Sequence, residues 1–67
     1  MNIQKNKKYI IRFLIHGNLL TYNCTVTDID ADSITFIDIK GDTITYKLDY
    51  IVGYQEIDDF KQSFYKS

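Results

Sequence analysis

Leu19 to Ile29, LLTYNCTVTDI, alternates apolar and polar residues along its length. Leu20, Tyr22, Cys24 and Val26 fall on one side, and Thr21, Asn23, Thr25 and Thr27 on the other. A period of two belongs to a half-buried β-strand and not to a helix, whose period is 3.6. Typical strands run to about 5–6 residues, so one this long in a small sheet must bend sharply or change sheets.

The same alternation extends outward in both directions. On the N-terminal side, Tyr9 to Ile15 (YIIRFLI) sets Ile11, Phe13 and Ile15 on one face and Ile10, Arg12 and Leu14 on the other. His16-Gly17-Asn18 joins it to the long strand as a tight turn, because Gly and Asn accept positive φ at little cost. On the C-terminal side, Asp30-Ala31-Asp32-Ser33 is a turn, Ile34 to Lys40 a third strand, Gly41-Asp42 a turn, and Thr43 to Lys47 a fourth strand with Ile44 and Tyr46 inward. Leu48-Asp49 reads as a kink or one 3₁₀ turn before a fifth strand, Tyr50 to Ile57. The period then changes. Ile57, Phe60 and Phe64 are spaced as one helical face, with Asp58 and Asp59 at the start and Lys61 and Lys66 later, which predicts a short helix over 58–65 across one open end. The expected fold class is mainly β: a five-stranded small barrel over 9–57 with a short C-terminal helix, in a single domain over 1–67.

Composition fits one small domain. The chain has 67 residues, 45% of them apolar, and a net charge of −1, too apolar and too weakly charged for a disordered segment. No apolar run reaches the roughly 18 residues of a membrane-spanning helix, and Met1 to Lys8 with the short stretch behind it does not have the form of a secretion signal, so a cytoplasmic location is expected. One Cys forms no internal disulfide, and one His with one Cys does not make up a four-ligand zinc site, so no metal or cofactor is expected. With those staples missing, oligomerisation is the remaining way to stabilise so small a chain. Ile, Lys, Asn, Tyr and Phe supply 32 of the 67 residues, while Gly, Ala, Arg and Pro supply 5, the bias of AT-rich coding DNA in low-GC bacteria, their phages or plasmids.

Individual reactive residues read as structural. His16 is an exposed turn residue, and Cys24 sits between Tyr22 and Val26 with nothing cationic nearby in sequence to lower its pKa. Asp28, Asp30 and Asp32 surround a turn without the glycine and terminal Glu of a calcium loop. No phosphate-cradling glycine loop or nucleophile-base pairing stands out, so no catalytic residue is assigned and the chain is read as non-enzymatic. Six tyrosines, with lysines near the start and at the later turns, leave nucleic-acid binding open, although a slightly acidic domain needs those lysines gathered locally.

Phe13-Leu14-Ile15-His16-Gly17, the long strand reaching Val26-Thr27-Asp28, Ser33-Ile34-Thr35-Phe36-Ile37-Asp38, the turn Lys40-Gly41-Asp42 and Tyr46-Lys47-Leu48-Asp49-Tyr50-Ile51 follow one another in an order and spacing that resembles the Sm-like (LSm/Hfq-like) family of SH3-type small β-barrels. The chain departs from that family at Tyr22, where a Gly is common, at Asp32 or Ser33, where an Asn is common, and at Leu48, where the bacterial RNA chaperone has a His. The resemblance implies a non-enzymatic module binding RNA or single-stranded nucleic acid as a homo-oligomer, with Ser33, Tyr46, Lys47 and Tyr50 as the contact residues. Ile10, Leu14, Ile37, Ile39, Tyr50, Val52 and Tyr54 fall opposite the proposed core. An apolar stripe left on strands four and five suits edge-to-edge pairing with another copy, with Tyr50, Val52 and Tyr54 as the oligomer interface. Burial of both faces within one barrel and its helix explains the same pattern. Two other partners fit: a host protein, bound by a small phage- or plasmid-type regulator or inhibitor, and a nucleotide-like ligand held between subunits.

Overall fold

The computed structural model describes residues 1–57; the helix expected over 58–65 lies outside the described residues. Five strands follow in order: β1 (Lys8–Ile15), β2 (Asn18–Ile29), β3 (Ser33–Asp38), β4 (Thr43–Lys47) and β5 (Ile51–Glu56), with one 3₁₀ turn, Leu48–Tyr50, between β4 and β5. All pairings are antiparallel and the order across the sheet is β4-β3-β2-β1-β5. Among the described residues no strand pairing closes the sheet into a barrel: β4 and β5 are its two edges. Among the described residues no helix is long and apolar enough to cross a membrane.

The expected alternation is realised in β1, where Tyr9, Ile11 and Phe13 are buried and their neighbours exposed. Ile15 pairs with Asn18 across a two-residue turn in which His16 and Gly17 both take positive φ, 51° and 81°. That backbone has the handedness that matches the twist of the flanking strands. β2 bends as its length requires. Val26 faces Phe36 and Asp28 faces Thr35, so Thr27 is an extra residue in a bulge, and its hydroxyl donates to the Thr35 carbonyl at 3.2 Å.

β3 stops at Asp38 and not at Lys40, because the Asp38 side chain takes over the turn. One carboxylate oxygen accepts from the amides of Lys40 and Asp42, both at 3.0 Å, while Gly41 (φ +90°) donates to the Asp38 carbonyl. Short polar side chains that bond nearby backbone in this way offer the chain an alternative to the ladder.

Bending and twist curl the sheet around a single apolar face. The ring of Phe13 on β1 lies 5.5 Å from that of Phe36 on β3, two strands away, and 4.9 Å from that of Tyr46 on β4, three strands away, contacts made only when the sheet coils on itself. The buried cluster is Ile3, Tyr9, Ile11, Phe13, Cys24, Val26, Ile34 and Phe36. Side chains of this size contribute about 1.5–3 kcal/mol each when fully buried, against roughly 0.5–1.5 kcal/mol net for a hydrogen bond. Group for group, burial on the inner face therefore contributes more than a single ladder hydrogen bond. Ile15, Leu20, Tyr22, Ile44, Tyr46 and Ile51 point to the same face but are only half-buried, since they lie where nothing among the described residues covers the curl.

Ile3 arrives from outside the strand pattern. The chain pairs with β2 through Asn6 and Lys7, turns back at Asn6 (φ 67°), and runs over the inner face. Two tyrosine hydroxyls hold it, accepting from the amides of Gln4 (Tyr9, 2.8 Å) and Asn2 (Tyr54, 3.0 Å).

Candidate binding surface

The four residues implied as nucleic-acid contacts divide between two faces. Ser33 and Lys47 are a cross-strand pair, as are Ile34 and Tyr46. Ile34 is buried, so Tyr46 points inward, and Ser33 and Lys47 point outward. Tyr50 packs on the inner side with its ring edge-on to Tyr46 at 6.4 Å. Ser33 thus meets Lys47 and Tyr46 meets Tyr50, but the two pairs do not share a surface.

Lys47 stands in acidic surroundings. It lines a shallow recess of about 310 Å³ with Ala31, Asp32 and Asp49, and Leu48 fixes that corner by donating to the Asp32 carbonyl at 2.9 Å. Two lysines near the start are in ion pairs, Lys5 with Asp28 and Lys7 with Glu56, each at 3.6 Å. Among the described residues the positive charges are spread out: Lys5 and Lys7 precede β1, Lys8 and Arg12 lie on it, Lys40 is in the turn after β3, and Lys47 ends β4.

The inner aromatic group is tightly connected. Tyr22 and Tyr46 share a hydroxyl–hydroxyl hydrogen bond of 2.9 Å, and their rings pack with Phe13 and Phe36. That hydrogen bond, followed by burial, pushes the Tyr22 phenol up to about 12. Cys24 is buried beneath the same sheet, and desolvation, helped by the nearby Asp38 carboxylate, raises its thiol to about 11. A thiol so high holds almost no nucleophilic thiolate at neutral pH.

Along β5 the expected faces change. Gly53 pairs with Arg12 and Ile51 with Phe13, leaving Val52 as the extra residue of a bulge. The parity of the strand reverses there. Tyr54 pairs with buried Ile11 and stacks edge-on against Tyr9 at 6.3 Å, so it belongs to the inner face and not to the outer one expected for it. Tyr50, packed against the core cluster, is likewise inward. Val52 remains outside, 57% exposed. The outer face also carries Leu14 directly across from Leu19.

The Ile3 strap had no place in the sequence pattern, and no periodic signal leads to it. The outer edge of β4 belongs to the stripe expected to pair along the fourth and fifth strands, and its signal is the run Thr43-Ile44-Thr45-Tyr46, four uncharged residues of high strand preference. No known protein family, curated protein or solved structure matches the chain.

Proposed function

We propose that this chain is a non-enzymatic binding module of the Sm-like or SH3-like small-barrel kind, left open along one seam, that works by adding strands of a polypeptide to a sheet edge, in the first place those of further copies of itself. The strand order, the coiling of the sheet and the single 3₁₀ turn between the two edge strands support the small-barrel part of this reading. The observation that carries the binding role is the pair of open edges, since an edge strand presents a row of unpaired N–H and C=O groups to any strand that reaches it.

The placement of charge favours a polypeptide over RNA or single-stranded nucleic acid. A grip on phosphates draws on lysines and arginines clustered on one face. Here Lys5 and Lys7 are each matched by a carboxylate, Lys47 sits beside Asp32 and Asp49, and Tyr46 and Tyr50 face the other way from Ser33 and Lys47. The exposed pair Leu14 and Leu19 supports a second reading, a host protein docked on the outer face by a small regulator.

The test pairs sedimentation with fluorescence anisotropy of labelled oligo-U and oligo-A, titrated with protein in about 50 mM salt. Self-association without saturable oligonucleotide binding is expected. Saturable binding that weakens as salt rises would replace the polypeptide reading with the nucleic-acid one.

A further inference from the structure

The two edges of the sheet are not alike. β5 carries the bulge at Val52, which raises local twist and interrupts the row of backbone groups, and Glu56 at its end is tied to Lys7. β4 runs in unbroken register with β3 over five residue pairs. It contains no Gly or Pro and no charge before Lys47. Edges of this plain kind are the ones that other strands join, and among the described residues nothing pairs with this one on its outer side.

We propose that β4 pairs antiparallel with β4 of a second copy about a two-fold axis at Thr45, merging two sheets into one. The proposal rests on the binding-module reading and names which edge it uses and which partner. β4 is self-complementary about Thr45. Pairing centred there is the register that uses all five residues; a shift of two in either direction leaves three pairs, and a shift of one sets inward side chains against outward ones. In the centred register Ile44 faces Tyr46 of the second copy, and Tyr46 faces Ile44, so two half-buried apolar side chains of the inner face cover each other. On the outer face Thr45 meets Thr45, extending the row begun by the 2.9 Å contact between the Thr35 and Thr45 hydroxyls. Lys47 faces Thr43 and comes beside Asp42 of the second copy, so charge is complementary and no like charges oppose.

A five-residue edge covers far less than the roughly 800 Å² per partner of a standard stable complex, so the dimer is expected to be weak and the concentration series extends to about millimolar protein. Sedimentation equilibrium over a concentration series of the wild type, Thr45→Lys, Thr45→Glu and an equimolar mixture of the two variants tests the axis. Thr45 is exposed and outside the core, so circular dichroism at low concentration checks that each variant keeps its strands. The wild type is expected to double in mass, each variant alone to need at least tenfold more protein to associate, and the mixture to recover the wild-type behaviour, because only a two-fold axis opposes position 45 to itself. Thr43→Lys, which opposes a second lysine to Lys47, must weaken association in the same way and stands in if a position-45 variant fails to fold. Variants that associate like the wild type, or a mixture no better than its components, overturn the β4 axis. Wild-type assemblies that ignore Thr45 but are broken by Val52→Lys overturn it while keeping assembly through an edge. A wild type that stays monomeric throughout removes both.

Discussion

Ile3 joins the core from a segment with no strand pattern, held by backbone hydrogen bonds to tyrosine hydroxyls, one of them 52 positions away in sequence. Nothing in local periodicity announces such a contact, whereas Tyr9, Ile11 and Phe13 are legible from alternation alone. Truncating Ile3 to Ala is expected to cost about 2 kcal/mol, the low end for a buried isoleucine because one flank of the site is open. Urea unfolding measures this, and an unchanged midpoint would remove the strap from the core. The raised phenol and thiol give a second expectation. A group whose pKa is higher folded than unfolded stabilises fully below the unfolded value and loses that contribution as pH rises through the folded one. Cys24 moves from 9.0 to about 11 and Tyr22 from 10.0 to about 12, so stability falls progressively between about pH 9 and 12. Cys24→Ala is expected to remove the lower part of that fall and Tyr46→Phe, which takes away the hydroxyl partner, to reduce the upper part. A profile identical in both variants would contradict the assignment.

At the scale of elements, the turns and bulges decide which face a side chain reaches. The length of β2 signalled a bend, and the bulge at Thr27 supplies it. The bulge in β5 had a weaker signal, an isolated glycine at Gly53, and overlooking it reverses every face beyond Val52. Tyr54→Ala is therefore expected to cost more than about 1 kcal/mol, since it loses the Tyr9 contact and the Asn2 hydrogen bond, while Val52→Ala stays within about 0.5 kcal/mol. The reverse ranking would restore the unbulged strand. In the β3–β4 hairpin, Asp38→Ala leaves the Lys40 and Asp42 amides without their acceptor and is expected to cost about 1 kcal/mol, with Asp38→Asn closer to wild type because it keeps an oxygen. Equal losses in the two variants would shift the explanation from the hydrogen bonds to charge.

For the whole molecule, strand number, sequence order and the inner face of β1 to β4 were legible because each rests on period-two patterning and glycine turns. The closure and the convergence of Ser33, Tyr46, Lys47 and Tyr50 were not, because they depend on how far the sheet coils and on which face each residue of a cross-strand pair takes. A domain of this size has little apolar surface in reserve. The half-buried side chains at Ile44 and Tyr46, on the plain edge of β4, are where the proposed association would add burial. Amide hydrogen exchange followed residue by residue across a concentration series tests this most directly. The amides of β4 that point away from β3 are expected to exchange quickly in dilute protein and to become protected as concentration rises, while those of β5 do not change. Protection of β4 that is independent of concentration, or a concentration dependence confined to β5, would contradict it.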